Sequence, residues 1–124
     1  MKFRLILLLL LLNACAVAQK TTDKKADALF IEAMRYMNYG EYNAAQVNLE
    51  KALARDNGFL DAKINLAQVY LVQEKPELAK KLMLEILEQN PAYDARVYFN
   101  LGLLSQMNSE YSDSKKYFDG YLKY

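Results

Sequence analysis

Few side chains in this sequence could do chemistry. The chain has no His and no Trp, and Cys15 is its only cysteine. Zinc sites and the Ser-His or Cys-His pairs of nucleophilic catalysis therefore lack their usual members, and neither a metal nor another cofactor is expected. What remains is carboxylate chemistry. Asp27, Glu32 and Asp61 could pair as the acid and base of a wall-acting hydrolase, but helical surfaces carry such pairs routinely as solvated charge. Lys80-Lys81 and Lys115-Lys116 read the same way. Binding is thus the leading expectation, and an enzyme is not expected.

Charge narrows the class of partner. Sixteen basic residues against fifteen acidic ones leave a formal charge of +1, too little to build a field that gathers phosphates or anionic lipids. Nucleic acid is not an expected partner. The ten Tyr read as core and rim packing rather than as a stacking platform for bases. With 53% hydrophobic and 25% charged residues over 124 positions, the composition is that of one folded domain.

The first 18 residues have the layout of an export signal: Lys2 and Arg4, an apolar run from Leu5 to Leu12, then small residues up to Ala18. Eight apolar residues rise only about 12 Å as a helix, and a bilayer core needs roughly 20, so the run is too short for a permanent anchor. Two processing routes stay open. Cutting after Ala16-Val17-Ala18 would discard Cys15, and losing Lys2 and Arg4 would turn the formal charge from +1 to −1. Alternatively, Leu12-Asn13-Ala14-Cys15 resembles a bacterial lipobox, which would leave Cys15 as a lipidated first residue and the sole attachment to a membrane. Either route implies an exported protein, periplasmic or held at the outer membrane as a lipoprotein. Residues 19–25 lack apolar periodicity and read as a short tether or a frayed helix start.

From Ala26 onward the sequence repeats itself in steps of 34 and then 35 residues. Ala33, Ala67 and Gly102 share one column, and Tyr36, Tyr70 and Ser105 another. Further on come Ala45, Ala79 and Ser114; Leu49, Met83 and Phe118; Ala52, Ile86 and Tyr121; and Leu53, Leu87 and Leu122. Within a repeat the apolar residues fall at i, i+4 and i+7, giving one stripe per helix. Small residues mark where helices approach closely. Gly40 suits a left-handed helix end, Pro76 a first turn, and Asn90-Pro91 a stop. The pattern predicts helices over about 25–39, 42–55, 60–73, 76–89, 93–107 and 110–123.

These columns, with Tyr39-Gly40-Glu41-Tyr42-Asn43-Ala44-Ala45 and Asn100-Leu101-Gly102, resemble the tetratricopeptide repeat family. Three repeats are indicated, 26–59, 60–93 and 95–124, the last slightly truncated. Lys63 stands at a usual Trp position, Glu32 at a usual Leu position and Glu74 at the turn glycine. The resemblance implies an all-α, right-handed superhelical α-solenoid whose first helices line a concave groove for a protein or peptide. Carried over residue by residue, that groove comprises Phe30, Met34 and Met37 from repeat one and Ile64, Gln68, Leu71 and Val72 from repeat two. Repeat three adds Phe99, Leu103 and Met107. Such a surface would suit an apolar helix or extended peptide. The carboxylate clamp found in one subclass is missing, because Phe30 and Met34 stand where its Lys and Asn belong. The function expected is a scaffold or adaptor of the bacterial cell envelope. A small self-associating structural repeat protein is the alternative. Tyr117, Phe118, Tyr121 and Tyr124 of the last helix are expected to form a terminal interface, for a weak homodimer or a docked partner.

Overall fold

The computed structural model describes residues 21–124; the stretch expected to be an export signal, Cys15 and the beginning of the expected tether lie outside the described residues. Within them the chain forms six helices: α1 (Lys24–Asn38), α2 (Tyr42–Arg55), α3 (Leu60–Val72), α4 (Pro76–Gln89), α5 (Ala95–Met107) and α6 (Tyr111–Lys123). Each helix packs on those before and after it, so three antiparallel pairs stack into an all-α solenoid. Two helix starts are set by acidic caps. Lys24 and Lys25 are already helical, because the Asp23 carboxylate accepts from the N–H groups of Lys25 and Ala26, both at 2.9 Å. At the other repeat boundary α5 starts at Ala95 rather than 93, since Asp94 is its cap and Asn90 to Tyr93 form a turn.

The three hairpins close by one device. Gly40, Glu74 and Ser109, again 34 and 35 residues apart, all take positive φ: 74°, 59° and 61°. The N–H after each reaches back to a carbonyl five residues earlier: Glu41 to Tyr36 at 2.9 Å, Lys75 to Tyr70 at 2.8 Å and Glu110 to Ser105 at 2.8 Å. These are Schellman ends, which satisfy carbonyls that a helix terminus leaves open. Only the first of the three uses the residue without a Cβ penalty.

The core follows the predicted columns. Ala33, Ala45, Leu49, Ala52, Ala67, Ala79, Met83 and Ile86 are buried, as are Gly102, Ser105 and Ser114 in repeat three. α3, in the middle of the stack, buries residues around most of its circumference. Lys63 is among them, 2% exposed. Its Nζ donates to Glu85 Oε2 and to Gln89 Oε1, both at 3.1 Å, so an ammonium and its acceptors fill the place where the family usually has Trp. Ser114 Oγ donates to the Gly102 carbonyl at 3.0 Å, which accounts for a hydroxyl in a column of alanines. Ser105 Oγ is buried with no hydrogen-bond partner; Tyr70, in the same column, sends its hydroxyl to Glu50 at 3.0 Å.

Candidate functional site

The groove expected from the sequence lies on α1, α3 and α5, and the structure sorts its residues by how far a partner could reach them. Phe30 is half-buried, its ring 5.0 Å from that of Phe59, the residue that leads into α3. Met37 and Leu71 are half-buried against the core, and Met34 and Gln68 are also half-buried. Ile64 departs from expectation. It is buried in the core at 7% exposure and presents no side chain to a ligand, because α3 is covered by helices on either side. The open apolar positions are Val72 at 54%, Phe99 at 41%, Leu103 at 40% and Met107 at 80% exposure. The open apolar positions thus lie on α5 and at the C-terminal end of α3.

Polar groups on the same side are committed to structure. Tyr93 donates its hydroxyl to Asp61, which ties the entry to α5 to the start of α3. Burial, and then the Asp61 carboxylate, push the Tyr93 phenol up, so it stays protonated and donating. Asp94 is held below the ordinary carboxylate range by Arg96, whose Nη2 lies 2.6 Å away. Asn65 donates to the Asp61 carbonyl at 2.7 Å and so is turned onto its own helix. Glu32 is paired with Arg35 on α1. Of the carboxylates considered for hydrolysis, Asp61 is engaged by Tyr93 and Glu32 by Arg35.

At the far end, the predicted terminal residues divide. Phe118 is spent inside repeat three: a Cβ on Gly102 would stand 2.7 Å from its ring, and its centroid is 5.9 Å from that of Phe99. Tyr117 is half-buried against the core. Tyr121 rests on Phe99 at 5.5 Å yet remains 42% exposed, and Tyr124 stacks on Tyr98 at 5.5 Å and 17° with 49% exposed. Leu122, beside them on the same helix, is 81% exposed. Residues not singled out in the sequence, Phe59 and Tyr93, connect the repeats. Both are aromatic and 34 apart, a period that could have revealed them.

A stack of three helix pairs in a 34-residue register, closed by three equivalent Schellman turns, is matched by the family model described as tetratricopeptide repeat over residues 36–107. The chain belongs to the tetratricopeptide repeat family. Among solved structures, MamA superposes with a TM-score of 0.75 at 24% identity, covering 80% of this chain and 57% of the MamA chain. A second MamA structure gives 0.73 at 24% identity over 80% and 54%. This chain thus spans little more than half the length of those proteins. The second tetratricopeptide domain of Spaghetti (RPAP3), solved bound to an HSP90 peptide SRMEEVD, gives 0.72 at 19% identity and covers 80% of this chain and 91% of that one. No curated protein sequence matches. At these identities the likeness is one of tetratricopeptide fold. Among the described residues no helix is long and apolar enough to cross a membrane.

Proposed function

We propose that this chain is a protein-interaction scaffold or adaptor exported to the bacterial cell envelope, and that it binds an apolar helix or extended peptide along its concave face. The observation that carries the reading is the exposure of Val72, Leu103 and Met107, large apolar side chains on helix faces that water normally keeps polar. Membership of a family of interaction modules supports it, as does a structural relative with a peptide bound. That relative's acidic peptide is not the ligand expected for this groove. Phe30 and Met34 occupy the clamp positions, so recognition rests on apolar anchors, with flexible Met side chains tolerating imprecise partners.

Burial decides which substitutions can test the groove. Phe30 and Phe99 are packed against neighbouring rings, so acidic substitutions there would disturb folding, whereas Val72 and Leu103 can be changed without opening the core. Affinity purification from an envelope extract should recover a partner with wild type and lose it with Val72→Asp, Leu103→Asp. Equal recovery by both would defeat the groove reading. Export has its own test. Intact-mass analysis is expected to find a chain starting at Gln19 or at a lipidated Cys15, and a cytoplasmic chain starting at Met1 would overturn it.

A further inference from the structure

We infer that the edge where the first two hairpin turns meet binds an arginine-bearing apolar segment of a partner protein. The Tyr39 ring and the Glu41 and Glu74 carboxylates receive the guanidinium, and Val72 takes the apolar side chain beside it. Gln73 holds the two turns side by side, its Nε2 donating to Asn43 Oδ1 at 2.9 Å. This surface lies between repeats one and two, within the stack rather than at either end of it. Tyr39 is 75% exposed, the most open tyrosine among the described residues, and Val72 is 54% exposed. Two other tyrosine rings in these repeats are met by a cation: Arg35, paired with Glu32, stands 5.7 Å over Tyr36, and Lys75 stands 6.0 Å over Tyr70. At Tyr39 the ring and the carboxylates are in place, and no cation of the described residues lies over the ring.

The fold makes no use of these two carboxylates. Glu41 stands at the N-cap of α2 without a side-chain hydrogen bond, Glu74 sits in its turn at a φ of 59°, and neither enters an ion pair among the described residues. The one cation of the two turns, Lys75, is drawn to Gln73 at 3.0 Å and to the Tyr70 ring. Charge then selects the occupant. The three hairpin turns, residues 38–43, 72–78 and 107–111, hold four Glu and one Lys, whereas the other described residues carry one more basic than acidic side chain. Negative potential is thus concentrated on this edge, which repels anionic lipid headgroups and the same edge of a second copy and attracts a cationic segment. A guanidinium suits the site better than an ammonium. It is planar and weakly hydrated, so it can lie on a tyrosine face while its N–H groups reach carboxylates. An aliphatic neighbour in the same segment removes Val72 from water. Val72 is shared with the groove, but Tyr39, Glu41 and Glu74 are not, so this edge stands or falls apart from concave binding.

A short fluorescent peptide of alternating Arg and Leu, titrated with the full chain, serves as the probe, with Lys-Leu and Glu-Leu versions beside it. Anisotropy should report saturable binding of the Arg peptide, weaker binding of the Lys peptide and none of the Glu peptide. Tyr39→Ala and Glu74→Lys should each weaken the Arg peptide at least about tenfold, and added salt should weaken it further. Glu88→Lys, an equal change of charge on the exposed face of α4, and Leu103→Asp in the groove should leave binding unchanged. Melting curves check that each variant is folded. No binding, equal binding of the three peptides, equal loss from Glu88→Lys and Glu74→Lys, or indifference to Tyr39→Ala overturns the inference. So does co-sedimentation of the protein with anionic lipid vesicles, or a dimer that Glu74→Lys dissolves, since a membrane or a second copy would then be the occupant. Binding seen only with a chain that begins at Gln19 also overturns it, because residues 1–18 would then hold the edge.

Discussion

The Asp23 carboxylate caps α1 and also receives the Arg55 guanidinium through two hydrogen bonds, 3.0 and 2.9 Å, joining the start of the first repeat to its end. The Arg55 hydrogen bond, followed by the backbone N–H of Ala26, holds this carboxyl at about 2, below the roughly 3.9 of a free Asp. Folding therefore favours the ionised form. Its contribution is complete above about pH 4 and fades as pH falls toward 2. Asp23→Asn should melt lower than wild type at neutral pH, and the gap should close between pH 4 and 2; a gap independent of pH would mean the Arg55 contact is absent in solution. Backbone conformation sets a second expectation. Glu74 and Ser109 hold positive φ where a Cβ costs about 1–2 kcal/mol, partly offset by the chain entropy that glycine loses on folding. Glu74→Gly and Ser109→Gly should each stabilise by about 0.5–1 kcal/mol, visible as a rise of a few degrees in melting temperature. A fall would show that the turn glycine of repeat one is not transferable.

At the scale of the helix, the repeat columns tell which side chains must fit each other. By register Ala33 lies with Leu49, Ala67 with Met83 and Gly102 with Phe118, and the one position with no Cβ faces the largest ring. Gly102→Ala should therefore destabilise by about 1–3 kcal/mol through overpacking. Adding Phe118→Leu, which recreates the pairing of repeat one, should recover much of the loss; additive losses would show that the ring can step aside. Helix number, pairing and core columns are legible in the sequence because a 34-residue period repeats the same spacing three times. What an isolated column does not reveal is how its neighbours cover it. Ile64 shares a register with Phe30 and Phe99, yet it is sealed because α3 has helices packed on either side. Lys63 reads as a defect at a Trp position, and only the acceptors Glu85 and Gln89, 22 and 26 residues away in sequence, make its burial tolerable. Phe118 reads both ways, as the counterpart of Leu49 and Met83 and as part of a terminal face, and the space over Gly102 draws it inward.

Over the whole molecule, stability is a sum of repeats and the seams between them. α3 buries the most side chains, and α6 fully buries only Ser114. Amide exchange in the protein alone should accordingly be fastest in α6 and slowest in α3, with opening that spreads inward from the last pair. Exchange of α6 as slow as that of α3 would show the three repeats to be a single cooperative unit. The two ends also differ in kind: α1 turns a solvated ion pair outward, while α6 leaves Leu122 and Tyr121 in water. Low local stability thus falls in repeat three, whose last helix buries a single side chain.

The recurrence of one closing turn at Gly40, Glu74 and Ser109 has a consequence for how such a chain can change its length. Residues 60–93 begin with a helix that fits the end of a preceding pair and finish with a face that fits the beginning of a following one. Duplicating that segment in place would set each new helix against columns of the kind it already meets, with the polar first helix and the aromatic last helix left as they are. Growth by whole units from the middle would lengthen the concave face while leaving both ends untouched.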